Sequence, residues 1–116
     1  MLTLPILIVQ TREPIEENLT GLIANQIANE YQRPTLLLSG KPTIDGLTGE
    51  ILSWEWRGSG RNIQFSKLEN MREFLLASGL VEFAEGHQSA FGFAIKNENL
   101  PKFKEYIIRE LKDFDF

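Results

Sequence analysis

The sequence predicts one α/β domain with a mixed sheet of about five strands and about three helices. Its N-terminal third holds two short apolar runs on either side of an amphipathic helical pattern, which is typical of a strand–helix–strand unit. Two later segments alternate apolar and polar side chains, as half-buried strands do. With 116 residues and 42% hydrophobic composition, the chain is long enough for one packed core and short for two.

The strand–helix–strand unit begins near the N-terminus. The apolar run from Leu4 to Gln10 predicts a buried strand. Apolar residues recur at helical spacing from Asn18 to Tyr31, which predicts a helix with Asn18 as its N-cap. We expect the helix to end before Pro34, because the residue before a proline avoids the helical conformation. Pro34 to Ser39 predicts a second buried strand, and the short links favour a parallel pair with a right-handed crossover.

The middle of the chain combines glycine-rich and strand-like segments. Gly40 to Gly49 is punctuated by glycines and predicts a loop or a hairpin tip. Glu50 to Arg57 alternates apolar and polar side chains and predicts a strand with one solvated face. The strand leads directly into Gly58-Ser59-Gly60-Arg61, which we expect to form a loop or tight turn. Trp54 and Trp56 share the apolar face, so we expect core burial rather than stacking on nucleic-acid bases.

Two helices and two strands complete the predicted domain. Ser66-Lys67-Leu68-Glu69 is a capping box, whose first and last side chains bond free backbone N–H groups at a helix start. Ser78-Gly79 predicts the end of that helix, and Val81 to Glu85 predicts a short strand. Ala90 to Lys96 alternates and predicts another strand. Leu100-Pro101 predicts the start of the last helix, since proline fits the first helical turn.

Composition excludes several classes of function. The net charge of −4 rules out a basic coat that grips nucleic acid by charge alone, so any such contact must be local. The chain has no cysteine, which excludes disulfides, thiolate catalysis and cysteine-ligated zinc, and suits a reducing compartment. The apolar N-terminus lacks the basic segment and cleavage site of a signal peptide and is too short to span a membrane. We therefore expect a cytoplasmic protein.

The inventory of catalytic side chains is small. The chain has one histidine, His87, and three aspartates, Asp45, Asp113 and Asp115. Metal sites use carboxylates and imidazoles from separate elements, and the sequence offers no such set around His87. No Gly-x-Ser-x-Gly elbow supports a Ser-His-Asp triad. We therefore expect no catalytic residue, no metal ligand and no cofactor in this chain.

Two glycine-rich segments, each with one basic side chain, form the candidate functional site, and Gly58-Ser59-Gly60-Arg61 is the first. Backbone N–H groups and the hydroxyl of Ser59 can contact phosphate oxygens, and Arg61 can bind them in a bidentate manner. The alternative is a tight turn with Arg61 in solvent. Arg57 either extends the basic site or lies on an edge strand.

The second segment is Gly86-His87-Gln88-Ser89-Ala90-Phe91-Gly92. Here we expect His87 to donate to, or exchange a proton near, a phosphate oxygen. A half-buried histidine bonded to a carbonyl is the alternative. Gly92 interrupts an alternating strand, which suggests that a ligand approaches the backbone closely. Together the two segments predict a phosphate site suited to a nucleotide chain.

The order and spacing of these segments resemble the DHH-associated C-terminal domain of RecJ-type single-strand-specific exonucleases and related DHH-family phosphoesterases. The resemblance covers nearly the whole chain. The matching segments are, in order, Gly21-Leu22-Ile23-Ala24, Arg33-Pro34-Thr35-Leu36-Leu37-Leu38-Ser39, Gly58-Ser59-Gly60-Arg61, Gly86-His87 with Ala90 and Gly92, and Glu98-Asn99-Leu100.

The resemblance implies a mixed-sheet domain that packs across a cleft from a manganese-binding DHH catalytic domain. Residues 1–116 would form the substrate-binding domain without that catalytic domain, so this chain alone is expected to be inactive. The implied substrate is single-stranded nucleic acid, with DNA favoured over RNA, and no membrane partner is implied. The residues implied to contact phosphate or the terminal nucleotide are Gly58, Ser59, Gly60, Arg61, Gly86 and His87.

The sequence departs from the family pattern twice and leaves two alternative functions open. Glu85 stands where the family usually has a second glycine, and Ala90-Phe91-Gly92 stands where it usually has two small residues and a glycine. A carboxylate beside a phosphate site opposes anion binding unless it points away. One alternative keeps the family and changes the substrate to a dinucleotide, a short oligonucleotide or a small phosphoester. The other is a non-catalytic module that docks to a partner protein.

Overall fold

A computed structural model describes residues 5–64 and 66–112 of the chain. The elements are, in chain order, β1 (Leu7–Thr11), α1 (Glu17–Tyr31), β2 (Thr35–Ile44), β3 (Ile51–Arg61), α2 (Met71–Ala77), β4 (Val81–His87), β5 (Ala90–Lys96), a 3₁₀ turn (Asn97–Asn99) and α3 (Leu100–Glu110). Within these ranges the strands form one sheet in the order β1-β2-β3-β5-β4. β1 and β2 are parallel and the other neighbours are antiparallel, so the predicted mixed α/β fold is confirmed.

The parallel pair β1–β2 is joined by α1, which confirms the predicted strand–helix–strand unit. α1 approaches the sheet closely because its contact face carries Ala24 and Ala28, both buried. The predicted N-cap, Asn18, is wrong, since the helix begins one residue earlier and Glu16 precedes it without a side-chain cap bond. Leu4, where we expected the first strand to start, lies outside the described residues.

Each face of the sheet has its own helical cover. α2 and α3 pack on one face, and the main apolar core lies between them and the strands. α1 packs on the opposite face, over β2 and β3. The largest contributors to the core are Leu36, Leu38, Trp56, Phe91, Phe93 and Ile95 from the sheet and Met71, Leu75, Phe103 and Ile107 from the helices.

The two tryptophans lie on the core face of β3. Trp56 is buried, and its Nε1 donates to Oδ1 of Asn97 at 2.9 Å. Trp54 is half-buried, and the guanidinium carbon of Arg12 lies 5.6 Å from the centre of its ring. The expectation of core burial is therefore confirmed for Trp56, whereas Trp54 closes the end of the core under an arginine.

β2 and β3 run well beyond their predicted ends and form a long hairpin. Gly40 to Gly49 was expected to form a loop or a hairpin tip. Residues 40–44 instead belong to β2, whereas residues 45–49 form the tip of the hairpin, as predicted. A Cβ at Gly40 would lie 3.2 Å from the Trp54 ring and 3.3 Å from the Trp56 ring, so this glycine permits close packing rather than a turn. The turn itself forms at Asp45, whose carboxylate accepts from backbone N–H groups two and three residues ahead. These hydrogen bonds lower the pKa of Asp45.

The segment 58–61 is the last part of β3, so the predicted loop or turn at this position is wrong. β3 pairs with β2 on one side and β5 on the other along the whole segment. A Cβ at Gly58 would collide with the carbonyl oxygen of Leu37, and one at Gly60 would lie 2.5 Å from the Phe91 ring. Gly58 and Gly60 therefore do not form a loop, and their missing side chains leave room for Leu37 and Phe91 inside the sheet.

The remaining helices and strands match the prediction except at the start of α2 and at the end of β4. α2 begins after Asn70, whose Oδ1 accepts from the backbone N–H of Glu73 at 3.0 Å, so the expected helix start at Ser66 is wrong. The Ser66 hydroxyl instead accepts a backbone N–H two residues ahead and closes a local turn. Ser78-Gly79 ends the helix as predicted. β4 continues to His87, beyond its predicted end, and β5 and the start of α3 match the prediction.

We expect Gly58→Ala to destabilise the protein by more than about 2 kcal/mol, because the new Cβ meets backbone that can move only by disturbing the β2–β3 ladder. Gly92→Ala is the matched control, since a Cβ there would meet only the Gly58 carbonyl oxygen, at an ordinary 3.7 Å. We expect the control to change stability by no more than about 0.5 kcal/mol. Urea unfolding followed by circular dichroism measures both, and equal stabilities would contradict the packing role of Gly58.

Candidate nucleic-acid interface

A strip of small side chains runs along β5 on the side of the sheet that α1 covers in part. The strip consists of Ala90, Gly92 and Ala94, between β3 and β4. Residues paired across neighbouring strands share a face, so larger side chains of β3 and β4 stand along both sides of the strip. We call the resulting depression the trough. Its walls are Arg57, Ser59 and Arg61 on β3 and Phe83, Glu85 and His87 on β4.

The guanidinium of Arg61 rests on α1 at Gly21, where a Cβ would collide with it. Its Nη1 donates to the backbone oxygen of Gly60 at 2.8 Å. In residues 5–64 and 66–112, no carboxylate forms an ion pair with Arg61. Partial burial lowers the pKa of Arg61, yet a guanidinium stays charged at neutral pH. Arg61 therefore offers a fixed positive charge with donors to spare.

Ser59 ties β3 to the first turns of α1. Its side chain is buried, and its Oγ lies 2.7 Å from Oγ1 of Thr20, where either hydroxyl can be the donor. Ser59 pairs with Gly92 across β5, and Gly92 in turn pairs with Glu85. The hydroxyl pair therefore stands at the edge of the trough, beside the glycine of the strip.

His87 is the last residue of β4 and is exposed. Its Nδ1 accepts from the backbone N–H of Ser89 at 3.1 Å, so the neutral ring carries its proton on Nε2, which is left to donate outward. The alternative of a half-buried histidine bonded to a carbonyl is wrong. Arg61, Ala90 and His87 lie in one register row, which puts the Cα atoms of the two basic residues about 10 Å apart.

The glycines of the two motifs hold structural positions. Gly58 and Gly60 lie on a strand that is paired on both sides, so their backbone N–H groups face neighbouring strands. Gly86 has φ +129°, and a Cβ there would lie 2.9 Å from the carbonyl oxygen of Ala90 across the hairpin. These contacts account for all three glycines by packing. Their contact with a ligand stays a prediction.

A cavity of about 520 Å³ opens where the trough meets the N-terminus of α1. Sequence reasoning missed most of it, because its walls come from the loop before α1, from β2 and from β4, which meet only after the crossover. The alternation of Phe83, Glu85 and His87 on β4 was the available signal. The cavity is lined by Pro14, Ile15, Thr20, Ser39, Gly40, Lys41, Arg57, Gly58, Ser59, Phe83, Glu85, Gly92 and Phe93.

Arg57 and Phe83 close the end of the trough above Ala94. The guanidinium carbon of Arg57 lies 5.9 Å from the centre of the Phe83 ring, and its Nε lies 3.4 Å from Oε1 of Glu55. Ala94, on the strand between them, is fully buried. Arg57 lies on the third strand of the sheet, so the edge-strand alternative is wrong and its guanidinium does line the site.

The loop before α1 is held in place by one buried serine. The Ser39 hydroxyl accepts from the backbone N–H of Ile15 at 3.0 Å and donates to the backbone oxygen of Glu13 at 3.1 Å. This loop leads into a helix start that has no side-chain cap. Free N–H groups and the helix dipole favour anions at such an end, and the cavity lies beside it.

Neither a metal-ligand cluster nor a membrane-spanning helix occurs in the part of the chain that the structure describes. No group of three or more His, Cys, Asp or Glu side chains there could hold a metal ion, so the residues do not fit a manganese site. Asp113 and Asp115 lie outside that part. No helix within it is long and apolar enough to cross a membrane.

No family model matches this chain. Two curated relatives do: the SPbeta prophage-derived single-strand DNA-specific exonuclease YorK of Bacillus subtilis (strain 168) and the single-strand DNA-specific exonuclease of Bacillus phage SPbeta. Each is 36% identical to the chain over 110 residues, which are 95% of this chain and 18% of the relative. The chain thus spans less than a fifth of the length of these relatives and matches one part of such an exonuclease.

The fold is similar to crystal structures of RecJ. A structure of exonuclease RecJ bound to manganese has a TM-score of 0.67 at 20% identity, covering 97% of this chain and 24% of that one. RecJ from Thermus thermophilus in complex with Mn²⁺ has a TM-score of 0.62 at 22% identity, covering 96% of this chain and 14% of that one. At these identities the likeness concerns the fold. With the two relatives, it confirms the resemblance to RecJ-type exonucleases.

We expect Gly21→Ala to displace the Arg61 guanidinium without unfolding the protein. The nearest atoms to the new Cβ are the far end of the flexible Arg61 side chain and the Ser59 hydroxyl, while alanine in a helix stabilises it by about 0.5–1 kcal/mol relative to glycine. The Nε–Hε resonance of Arg61 in an NMR spectrum reports its position. Gln26→Ala on the exposed face of α1 is the control and should leave this resonance unchanged. An unmoved Arg61 resonance in Gly21→Ala would contradict the contact.

Proposed function

We propose that this chain is the substrate-binding part of a RecJ-like exonuclease and holds the phosphate backbone or the terminal nucleotide of single-stranded DNA in the trough. Hydrolysis takes place in a separate manganese-binding DHH domain, so the chain alone is inactive. The observation that carries the proposal is the arrangement of Arg61. Its charge is fixed on α1, is not neutralised by a carboxylate in the described ranges, and faces His87 across Ala90.

The side chains of the trough divide the binding of phosphate between them. Arg61 is the main ligand, because a guanidinium offers several donors to phosphate oxygens at once. Nε2 of His87 is a second donor on the opposite wall. The hydroxyl of Ser59 stands beside the floor at Gly92, where the absent side chain lets a phosphodiester come close to the sheet. Gly58, Gly60 and Gly86 contribute indirectly, because their missing side chains allow the close strand packing that positions these groups.

We assign single-stranded DNA as the substrate from the names of the two relatives and from the net charge of the chain. Both relatives are named as specific for single-strand DNA, which favours DNA over RNA here. The net charge of −4 limits non-specific attraction, so affinity comes from the few donors of the trough. A cytoplasmic location fits an enzyme that acts on DNA and is part of the same proposal.

A second role is favoured by the free end of the β2–β3 hairpin. β1 pairs with β2 only as far as Ser39, and β5 pairs with β3 only as far as Glu55, so residues 41–54 project as a two-stranded ribbon. Such a ribbon is marginally stable unless another surface covers it. Its exposed aliphatic side chains are Ile44, Leu47, Ile51 and Leu52. We propose that the ribbon docks on the remaining part of a longer RecJ-like protein.

We expect Arg61→Ala to weaken binding of a short single-stranded oligonucleotide about tenfold, because it removes charge-assisted hydrogen bonds to phosphate. The slope of log affinity against log salt should also fall by about 0.7, the value for one phosphate contact on a single strand. Arg109→Ala on α3 is the control with the same charge change and should alter affinity less than twofold. Fluorescence anisotropy at several salt concentrations measures both. Equal effects of the two variants would overturn the assignment of Arg61.

For the ribbon, we expect Leu47→Lys with Leu52→Lys to abolish association with the YorK exonuclease produced without its matching segment. Leu47 is 98% and Leu52 62% exposed, so the substitutions should leave the fold intact while placing charge in the apolar contact. Leu22→Lys on α1, also an exposed leucine, is the control. Size-exclusion chromatography of the mixtures measures association. Complexes that survive the double substitution would exclude the ribbon as the docking surface.

A further inference from the structure

The cavity beside α1 holds three side chains that phosphate binding does not use. Arg57, Phe83 and Glu85 line it together with apolar surface from Pro14 and Ile15. The volume of about 520 Å³ falls in the range of small-ligand sites. The cavity is continuous with the trough, because Ser59 and Gly92 line both. A nucleotide whose phosphate lies on Arg61 therefore has a space next to it for its base.

Phe83 gives this space a surface suited to a flat ring. The side chain is half-buried, and the Arg57 guanidinium is fixed above it by a cation–π contact at 5.9 Å. Base–aromatic stacking is a common source of affinity for single strands and tolerates every base. Across the cavity, Pro14 and Ile15 offer apolar contact. These groups hold a base but do not choose among the four.

Glu85 is the group in the cavity that can discriminate among the four bases. Its carboxylate is exposed and makes no hydrogen bond or ion pair within residues 5–64 and 66–112. A carboxylate can only accept hydrogen bonds, and it repels phosphate, so its natural partner here is a group rich in N–H donors. Guanine offers two adjacent donors, N1–H and N2–H, which match the two oxygens of a carboxylate. Thymine offers a single N–H between two carbonyl oxygens.

Arg57 adds the complementary group. An arginine commonly donates to O6 and N7 of guanine, which lie on the edge of the base away from N2. Arg57 and Glu85 stand on β3 and β4 with β5 between them, and they are offset by two residues along the strands, since Arg57 shares its register row with Phe83. A donor on one wall and an acceptor on the other therefore suit two adjacent edges of guanine, the N7–O6 edge and the N1–N2 edge.

We propose that this cavity is a base-binding subsite that prefers guanine in the nucleotide next to the phosphate held by Arg61. The proposal rests on the proposed function, since it takes the phosphate position from Arg61. Phe83 contacts the base with the part of its ring that the Arg57 guanidinium leaves uncovered, Glu85 accepts from N1–H and N2–H, and Arg57 donates to O6 and N7 on the neighbouring edge.

The test uses pentanucleotides of thymidine that carry one guanine, adenine or cytosine at the 5′ end or at the 3′ end, with binding followed by anisotropy. The chain should bind one guanine-ended strand at least about fivefold more tightly than oligothymidine. Glu85→Gln, which loses one of two equivalent acceptors, should reduce that preference, and Glu85→Ala should bring it below twofold. Glu82→Gln, at an exposed glutamate three residues away on the same edge strand, is the matched control and should keep the preference.

The outcomes separate this proposal from the function it rests on. If Arg61→Ala leaves the affinity for every strand unchanged, the phosphate site itself is wrong. If Arg61→Ala weakens all strands while the wild-type chain shows no guanine preference, the phosphate site stands and the base subsite is overturned. A guanine preference that survives Glu85→Ala also overturns the role of Glu85.

Discussion

The candidate site depends on one contact, in which the start of α1 rests on β3. The Thr20–Ser59 hydroxyl pair joins the two elements, and small residues on the helix, Gly21 and Ala24, let it approach the sheet. Because α1 covers only part of this face, the strip of small side chains on β5 stays open beside it. The same contact gives Arg61 a surface to rest on. The trough, the cavity and the position of the Arg61 charge therefore all depend on how much of the sheet α1 covers.

The site also shows how an acidic protein can present a local anion site. The net charge of −4 gives no general attraction for DNA, and Glu85 stands in the wall of the cavity itself. A single well-placed arginine, Arg61, can provide the anion site without a large number of basic residues. Packing against α1 fixes Arg61 at a place where the described part of the chain supplies no counter-charge. Arg57, by contrast, is engaged with Glu55 and Phe83 and suits recognition of an uncharged ring better than phosphate.

The sequence predicted the elements whose pattern is set by burial. The strand–helix–strand unit, the alternation of β5 and the last helix are all present, since each buries one face on the core. It failed at Gly40 and at Gly58, because an absent Cβ serves a turn and a close contact equally well. Only the neighbours in space, the tryptophan rings and the Leu37 carbonyl, decide between the two. For the same reason the sequence did not reveal the cavity, because much of its wall comes from the loop before α1, β2 and β4, which come together only in the folded chain.

The most direct test of the central claim is an NMR titration of the ¹⁵N-labelled chain with a short single-stranded DNA at low salt. We expect the shifts to cluster along the trough, on residues 57–61 and 83–94, together with the Arg61 side-chain resonance. Shifts confined to the ribbon of residues 41–54, or absent from the trough at millimolar DNA, would contradict the central claim. The pattern of shifts reports where DNA lies, independently of how tightly the isolated chain holds it.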